Sequence, residues 1–187
     1  MLEINSPIKE THTKNNFSMK EKSPVTKINL RGNINNKDFI SKVDKILGIM
    51  LPVEVGGIVT KEEVYIVCAS PNEWLIISNN TIKKSINKHE LENVLFENIS
   101  KCNLGGVTNV TDQFAIFSLK GSNIYEVLSK SSPFNFDTLS DNTSAQTLLN
   151  NIDITIVKKD NENLDLLVRR SFSEHLWDWI KDSSNLT

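Results

Sequence analysis

The chain has 187 residues, of which 39% are hydrophobic, and a formal net charge of −2 at pH 7. This length suits one domain or two small, tightly packed subdomains, while the scattered basic residues exclude the electrostatic footprint of a protein that binds nucleic acid or an anionic membrane. No apolar run approaches the ~20 residues that would span a bilayer, and Cys68 and Cys102 form neither a disulfide framework nor a zinc-ligand spacing, so we expect a soluble, cytoplasmic protein.

Residues 1–24 are polar, contain Pro7 and Pro24, and have no sustained hydrophobic period. The segment lacks the continuous apolar core of a signal peptide. A segment of this composition buries too little apolar surface to fold by itself. We predict that residues 1–24 form a disordered N-terminal extension and that the folded domain spans residues 25–182.

The first half of the folded domain alternates strand and helix patterns. An apolar stripe of helical period follows Asn36 and ends at Gly48, which is a residue typical of a helix stop. Pro71 and Asn72 are turn formers between two apolar runs, so they predict a hairpin. The predicted elements are a strand at 25–31, a helix at 36–47, an extended loop marked by Leu51–Pro52 and Gly56–Gly57, hairpin strands at 64–69 and 74–78, a helix at 88–98 with Leu91, Val94 and Leu95 inward, and a strand at 107–112.

The second half repeats this order of elements. Ser122 is the predicted N-cap of its first helix. The run at 152–157 alternates apolar and polar residues, which is typical of a half-buried strand. The predicted elements are a strand at 114–119, a helix from 122, a short stretch at 144–149, hairpin strands at 152–157 and 164–168, and a terminal helix.

The terminal helix carries two tryptophans. Ser171 followed by Glu174 has the spacing of a capping box. At about 100° per residue, Trp177 falls at the margin of the apolar face and is only partly committed to the core. The residues that share this face are Phe172, Leu176, Trp179 and Ile180. A helix that seals the core is the simpler interpretation, and the alternative is that Trp177 or its neighbours dock onto another protein.

The order of elements predicts the fold class. Helices that follow pairs of antiparallel strands are typical of α+β proteins, in which the helices cover one face of the sheet. We therefore predict an α+β fold of two consecutive split β-α-β-β-α-type units with mainly antiparallel sheets. The two subdomains would span about 25–112 and 113–182.

No residue pattern specifies a catalytic or metal site. We expect solvated or capping roles for His12, His89 and His175, since none lies in a recognisable nucleophile–base arrangement. No cluster of His, Cys, Asp and Glu has a metal-ligand spacing. The glycine pairs 56–57 and 105–106 fit no phosphate-binding loop, and we expect them to supply tight turns.

Four charged residues are candidates for binding. Asp112 and Asp137 stand where loops begin, where a carboxylate can bind an amine or a pterin-like ring, although bonding to nearby backbone amides is the simpler interpretation. Arg169 and Arg170 follow a strand and can clasp a carboxylate in a bidentate manner, or form a surface or inter-subunit salt bridge. Together with Trp177, the two arginines are the candidate interface residues.

A set of different short motifs occurs in a characteristic order along residues 25–182. They are Ile28-Asn29-Leu30-Arg31-Gly32, Leu51-Pro52, Ser70-Pro71-Asn72-Glu73-Trp74-Leu75, Asn109-Val110-Thr111-Asp112-Gln113, Leu119-Lys120-Gly121 with Val127-Leu128, the loop 132–137, and Arg170-Ser171-Phe172 with Leu176-Trp177-Asp178-Trp179-Ile180. Their order resembles the gamma subunit family of heterotetrameric sarcosine oxidase. Asn72 departs from the aspartate that is usual there, and Ser132 departs from a common cysteine.

The resemblance implies a fold related to the folate-binding domain of the aminomethyltransferase (glycine-cleavage T-protein) family. It implies a complex that oxidatively demethylates sarcosine to glycine, with formation of hydrogen peroxide and methylenetetrahydrofolate. The larger subunits of that complex are expected to carry FAD, covalent FMN, NAD and the tetrahydrofolate site, and the delta subunit zinc. This chain is expected to bind none of these, to lack catalytic residues, and to support assembly with the alpha, beta and delta subunits.

Two other interpretations of function stay open. One is a free-standing folate-binding or aminomethyl-transfer protein, which would require Asp112 or Asp137 to lie in a real pocket. The other is a generic interaction module with a different partner.

Overall fold

The computed structural model describes residues 5–22, 24–81 and 90–185. The chain divides into two compact units, unit 1 (Met1–Ser23 with Asp112–Thr187) and unit 2 (Pro24–Thr111). The chain passes from one unit to the other twice, between Ser23 and Pro24 and between Thr111 and Asp112, and the second point lies next to the predicted subdomain boundary. The start of the predicted helix at 88–98, including His89, lies outside the described residues.

The described elements are as follows in chain order. The strands are β1 (Thr11–Lys14), β2 (Phe17–Glu21), β3 (Val25–Gly32), β4 (Ile58–Lys61), β5 (Val64–Ser70), β6 (Glu73–Thr81), β7 (Gly105–Asn109), β8 (Phe114–Lys120), β9 (Thr143–Leu149), β10 (Ile152–Asp160) and β11 (Asn163–Arg169). The α-helices are α1 (Lys37–Leu47), α2 (Glu90–Leu95), α3 (Ile124–Ser129) and α4 (Ser173–Ser184). A π-helical turn (Phe96–Ser100) follows α2, and 3-10 turns occupy Phe136–Thr138 and Arg170–Phe172.

Unit 2 contains a five-stranded sheet in the order β4-β5-β6-β3-β7, in which every pair of neighbours is antiparallel. Helix α1 begins where the Asn36 side chain accepts hydrogen bonds from the Asp38 and Phe39 amides, and it ends at Gly48 with φ 63°. Phe39 and Val43 of α1 are buried against alternate residues of the sheet, such as Ile28 and Leu30. Because β-strand side chains alternate between faces, these contacts cover one face of the sheet.

Most local predictions in unit 2 agree with the structure, with three differences. Gly105 and Gly106, which were expected to supply a tight turn, lie in β7 opposite Gly32 and Arg31. The hairpin around Pro71 is present as β5 and β6, but β4 was not predicted. Val94, which was predicted to point inward, is 39% exposed. The apolar face of α2 is formed by Leu91 and Leu95, which are four residues apart, and it does not extend to Val94.

Unit 1 contains a six-stranded antiparallel sheet in the order β1-β2-β8-β11-β10-β9. Helices α3 and α4 bury their apolar residues against one set of alternating strand residues, including Phe117, Leu166 and Val168. The predicted α+β class, with mainly antiparallel sheets and helices on one face, is confirmed. Helix α3 begins after Asn123 without a side-chain cap, so the predicted cap at Ser122 is wrong.

The prediction that residues 1–24 are a disordered extension is wrong for the described part of that segment. Residues 11–21 form the hairpin β1–β2, and β2 pairs with β8. Phe17 and Met19 alternate on one face of β2 and are each 1% exposed in the unit 1 core. The pattern is only two apolar residues long, and the strand that stabilises it lies about a hundred residues further along the chain.

The terminal helix also differs from its prediction. Helix α4 begins at Ser173 after the 3-10 turn, and Ser173 Oγ donates a hydrogen bond to the Arg170 carbonyl at 2.7 Å. The predicted capping box at Ser171 and Glu174 is therefore absent. Phe172 lies in the 3-10 turn, outside the helical period of α4, and is 46% exposed.

Candidate functional site

A cleft of about 640 Å³ opens in unit 1 where β11 ends and α4 begins. Its walls include Pro7, Asp112, Gln113, Arg169, Arg170 and Ser171. The structure therefore brings together both arginines and one of the two aspartates that the sequence suggested for binding.

Arg170 connects three segments at the cleft. Its backbone amide donates a hydrogen bond to the Gln113 carbonyl at 2.8 Å. Its guanidinium donates to the Asn5 carbonyl, and its Nη1 lies 3.6 Å from Asp112 Oδ1. Since the Asp112 side chain is 69% exposed, this ion pair is worth at most about 1 kcal/mol. Arg170 is thus largely engaged within the chain.

Arg169 is the available cation at this cleft. It ends β11 and is exposed, and its guanidinium makes no hydrogen bond or ion pair with other residues in the described part of the chain. A guanidinium presents a rigid fork of donors that matches a carboxylate in a bidentate manner. The cleft therefore presents the Arg169 guanidinium beside the carboxylates of Asp112 and Glu174, which also line it.

Trp177 is a core residue, which contradicts its predicted position at the margin of the apolar face. It is 1% exposed, and its ring meets the Phe117 ring edge-on with centroids 5.4 Å apart. Its Nε1 donates a hydrogen bond of 2.8 Å to Glu10 Oε1. Trp179 is only partly buried against the same core. The predicted difference between the two tryptophans is therefore reversed.

The N-terminal arm, defined as residues 5–14, explains the burial of Trp177. Lys181 Nζ donates to the same Glu10 oxygen as the indole, at 2.9 Å. His12 Nε2 lies 2.7 Å from Ser184 Oγ. These contacts attach the arm along α4. Hydrogen bonds from Lys181 and then Trp177 lower the pKa of the Glu10 carboxyl, whereas burial lowers the pKa of His12.

The remaining predicted residues lie elsewhere. Asp137 lies in the 3-10 turn at 136–138 and is exposed. Its backbone amide donates to Asn135 Oδ1 at 3.1 Å, so Asn135 supplies the side-chain acceptor of this turn, a role that the sequence had suggested for the Asp137 carboxylate. It is not among the residues that line the cleft. His175 Nε2 lies 3.2 Å from the Asn150 amide nitrogen on the surface.

A buried ionic cluster in unit 1 was missed by sequence reasoning. Asp165 is fully buried in β11, and its Oδ2 accepts from Lys22 Nζ at 2.6 Å and from Lys159 Nζ at 2.9 Å. Burial lowers the pKa of Lys22, and the attraction of Asp165 opposes that shift. The signal available was a carboxylate inside the apolar run Leu164–Val168, because a buried charge requires a partner.

Within the described ranges, no group of three or more His, Cys, Asp and Glu side chains has an arrangement that would hold a metal ion. None of the helices described combines the length and the apolar character needed to cross a membrane.

A protein-family model described as "Sarcosine oxidase, gamma subunit family" matches residues 31–186. The match covers most of the chain and leaves the N-terminal arm and β2 outside it. A search of curated protein sequences found no match.

Among solved structures, the chain is similar to a chain of the heterotetrameric sarcosine oxidase from Corynebacterium sp. U-96. The TM-score is 0.79 at 21% identity, and the match covers 90% of this chain and 84% of that chain. It is also similar to the glycine cleavage system aminomethyltransferase T from Bartonella henselae, with a TM-score of 0.61 at 13% identity. That match covers 90% of this chain but only 46% of the transferase, so this chain spans less than half of the transferase's length. Both matches agree with the fold that the sequence motifs imply.

Proposed function

Since the chain belongs to the sarcosine oxidase gamma subunit family, we propose that it is a non-catalytic subunit that supports assembly of a heterotetrameric sarcosine oxidase. Its partners would be the alpha, beta and delta subunits. The complex would oxidatively demethylate sarcosine to glycine, with formation of hydrogen peroxide and methylenetetrahydrofolate. FAD, FMN, NAD, tetrahydrofolate and zinc would be held by the other subunits.

The observation that carries this proposal is the family match over residues 31–186. The extent of the fold likeness supports it. The chain corresponds nearly end to end with one chain of a heterotetrameric oxidase, covering 84% of it, whereas it covers 46% of the aminomethyltransferase. A free-standing transferase of the second kind would need the remaining half of that fold.

The cleft supports a binding role in this assembly. Arg169 offers a guanidinium that other described residues leave unpaired, so it can pair with a carboxylate of a neighbouring subunit. Arg170 is held by Asp112 and Asn5, so its proposed part is to fix the wall of the cleft. Trp177 lies in the core, and its proposed contribution to assembly is limited to supporting α4.

The experiment is co-expression of this chain with the remaining subunits of its complex, with an affinity tag on one of those subunits. We expect this chain to co-purify in a stoichiometric complex that oxidises sarcosine. An obligate interface typically buries more than ~2,000 Å², so the complex should survive gel filtration. Failure to co-purify, together with a monodisperse chain when expressed alone, would refute the subunit role.

A second candidate function is a free-standing folate-binding or aminomethyl-transfer protein, which the fold likeness to the aminomethyltransferase favours. Its pterin or amine ligand would use Asp112 or Asp137. Because Asp112 lies in ion-pair range of Arg170, a ligand amine would have to compete with that guanidinium. Titration of the isolated chain with tetrahydrofolate tests this function: micromolar binding that is lost in Asp112→Ala or Asp137→Ala would favour it over the subunit role.

A further inference from the structure

The segment between α1 and β4 exposes unusual apolar surface. We call residues Ile49–Gly57 the 49–57 loop. Met50, Val53 and Val55 are 70%, 69% and 61% exposed, and they are the most exposed large hydrophobic side chains in the described ranges. These three side chains lie within six consecutive residues, so one short loop carries the strongest exposure of large hydrophobic side chains in the described ranges.

The first part of the loop is fixed to the unit 2 core. Leu51 is 7% exposed and packs in that core. The carbonyl of the adjacent Pro52 accepts a hydrogen bond of 2.8 Å from Nε1 of Trp74, which is completely buried. The exposed side chains of Met50 and Val53 therefore flank an anchored dipeptide.

The second part of the loop is fixed to β5. Gly56 N donates to the Cys68 carbonyl at 2.9 Å, and Cys68 N donates to the Gly57 carbonyl at 3.0 Å. Gly57 N also donates to the Glu54 carbonyl at 2.8 Å, closing a turn around Val55. A Cβ at position 57 would lie 2.9 Å from that Glu54 oxygen, so the turn requires glycine.

A loop that is fixed at both ends while it exposes aliphatic side chains is pre-organised for binding. A flexible loop loses conformational entropy when it binds, which weakens its affinity, whereas this loop is already ordered in the free chain. We propose that the 49–57 loop is the anchor by which this chain docks onto another subunit of the oxidase, in an apolar pocket with a basic side chain at its rim. This inference rests on the proposed function.

The size of the patch favours a different subunit over a second copy of this chain. An aliphatic side chain offers roughly 60–120 Å² of apolar surface, so three that are about two-thirds exposed offer roughly 200 Å². A symmetric contact between two such loops would bury roughly 400 Å², well below the ~1,200 Å² of a stable interface. The loop suits one anchor within a wider interface.

The charge of the loop indicates the chemistry of the pocket. Glu54 is the one charged residue in the 49–57 loop, and it is exposed between Val53 and Val55. Segments that insert into anionic membranes carry Lys and Arg around their apolar residues. A carboxylate at this position disfavours a lipid surface and complements a basic group on a protein.

The test measures the affinity of the full chain for a complex of the remaining oxidase subunits produced without it. The variant carries Met50→Ser, Val53→Ser and Val55→Ser. Each truncated interface anchor costs about tenfold in affinity, so we expect Kd to rise by at least about 100-fold. The matched control carries Val94→Ser and Phe96→Ser, which change partly exposed apolar residues of the same unit, and it should bind like the wild type.

A measurement of stability keeps the test independent of folding, and a pair of charge reversals tests the role of Glu54. The thermal unfolding midpoint of the triple variant should stay within about 2 °C of the wild type, because exposed substitutions have small effects. The single substitution Glu54→Lys should weaken binding at least about fivefold at low salt, whereas Glu63→Lys on the following turn should leave Kd unchanged.

The outcomes separate the two proposals. If the wild-type chain does not bind the other subunits, the proposed function fails. If the wild type binds and the triple loop variant binds within threefold of it, the proposed function stands and the docking role of the loop is overturned. The role is also overturned if the loop substitutions leave binding to the subunits intact but abolish a different interaction. That interaction would be a homodimer of the isolated chain, or binding to vesicles of phosphatidylcholine and phosphatidylserine.

Discussion

The substitution Phe17→Ala tests whether the N-terminal hairpin is an integral part of unit 1. Phe17 is 1% exposed and packs in the same core as Met19 and Trp177. Replacing a buried phenylalanine with alanine typically lowers the free energy of unfolding by about 3–5 kcal/mol, because the burial of the ring's apolar surface is lost and a cavity remains in the core. For a protein of this size, each kcal/mol shifts the unfolding midpoint by about 2–4 °C. We therefore expect a midpoint about 6–20 °C below that of the wild type.

The assay is thermal unfolding of the full chain, followed by far-UV circular dichroism and by tryptophan emission. Trp177 reports on the core that contains Phe17, whereas Trp74 reports on unit 2. The control is Lys20→Ala, an exposed position on the same strand, which should change stability by no more than about 0.5 kcal/mol. If Phe17→Ala unfolds at the temperature of Lys20→Ala, the strand is dispensable and the argument from its burial is refuted.

Three further predictions concern the pH response, the loop anchor and the cleft. The hydrogen bond from Lys181 holds the pKa of Glu10 below its ordinary value of 4.5. The stability that this carboxylate contributes is therefore fully present above pH 4.5 and is lost as the pH falls through the lower pKa of the folded state. In urea titrations below pH 4.5, the wild type should lose more stability than Glu10→Gln, and equal losses in the two proteins would contradict this. Trp74→Phe leaves the Pro52 carbonyl without its donor and should lower the free energy of unfolding by about 1–3 kcal/mol in urea, and an unchanged value would show that the bond does not anchor the loop. Arg169→Ala should leave the unfolding midpoint unchanged but raise Kd for the other subunits, more at low than at high salt; an unchanged Kd at both salt concentrations would remove Arg169 from the interface.

Elements with strong local signals were predictable from the sequence. The limits of α1 follow from Asn36, which accepts hydrogen bonds from the first helical amides, and from Gly48 at φ 63°. The turn that contains Pro71 and Asn72 joins β5 and β6 as its residue types predict. In each case a few adjacent residues carry the whole signal, so no knowledge of distant contacts is needed.

Elements that depend on distant partners were not predictable in the same way. Strand β2 presents only Phe17 and Met19 to the core, and it is a strand because β8 supplies its hydrogen bonds. Strand β4 has four residues and lies at the edge of its sheet, next to β5. A short apolar alternation between polar residues is indistinguishable from a loop until its partner strand is known.

The candidate site was predictable in its residue types but not in its arrangement. The sequence identified Arg169, Arg170 and Asp112 separately, as cations after a strand and a carboxylate before another. Their meeting follows from the pairing of β8 with β11, which aligns Phe114 with Arg169. The difference between a paired Arg170 and an available Arg169 depends further on Asn5, which belongs to the segment predicted to be disordered.

The position predicted for Trp177 was wrong because the N-terminal segment was predicted to be disordered. Seen from the period of α4 alone, its position at the edge of the apolar face suggested a side chain available to a partner protein. The structure covers that edge with the N-terminal arm, and Glu10 receives the indole N–H that would otherwise require a partner. Since the family match begins at residue 31, the cover comes from outside the matched region. In this chain, the edge of α4 that the sequence offered to a partner is therefore covered by the chain's own arm, and the proposed contacts with a partner rest on Arg169 in unit 1 and, separately, on the 49–57 loop in unit 2.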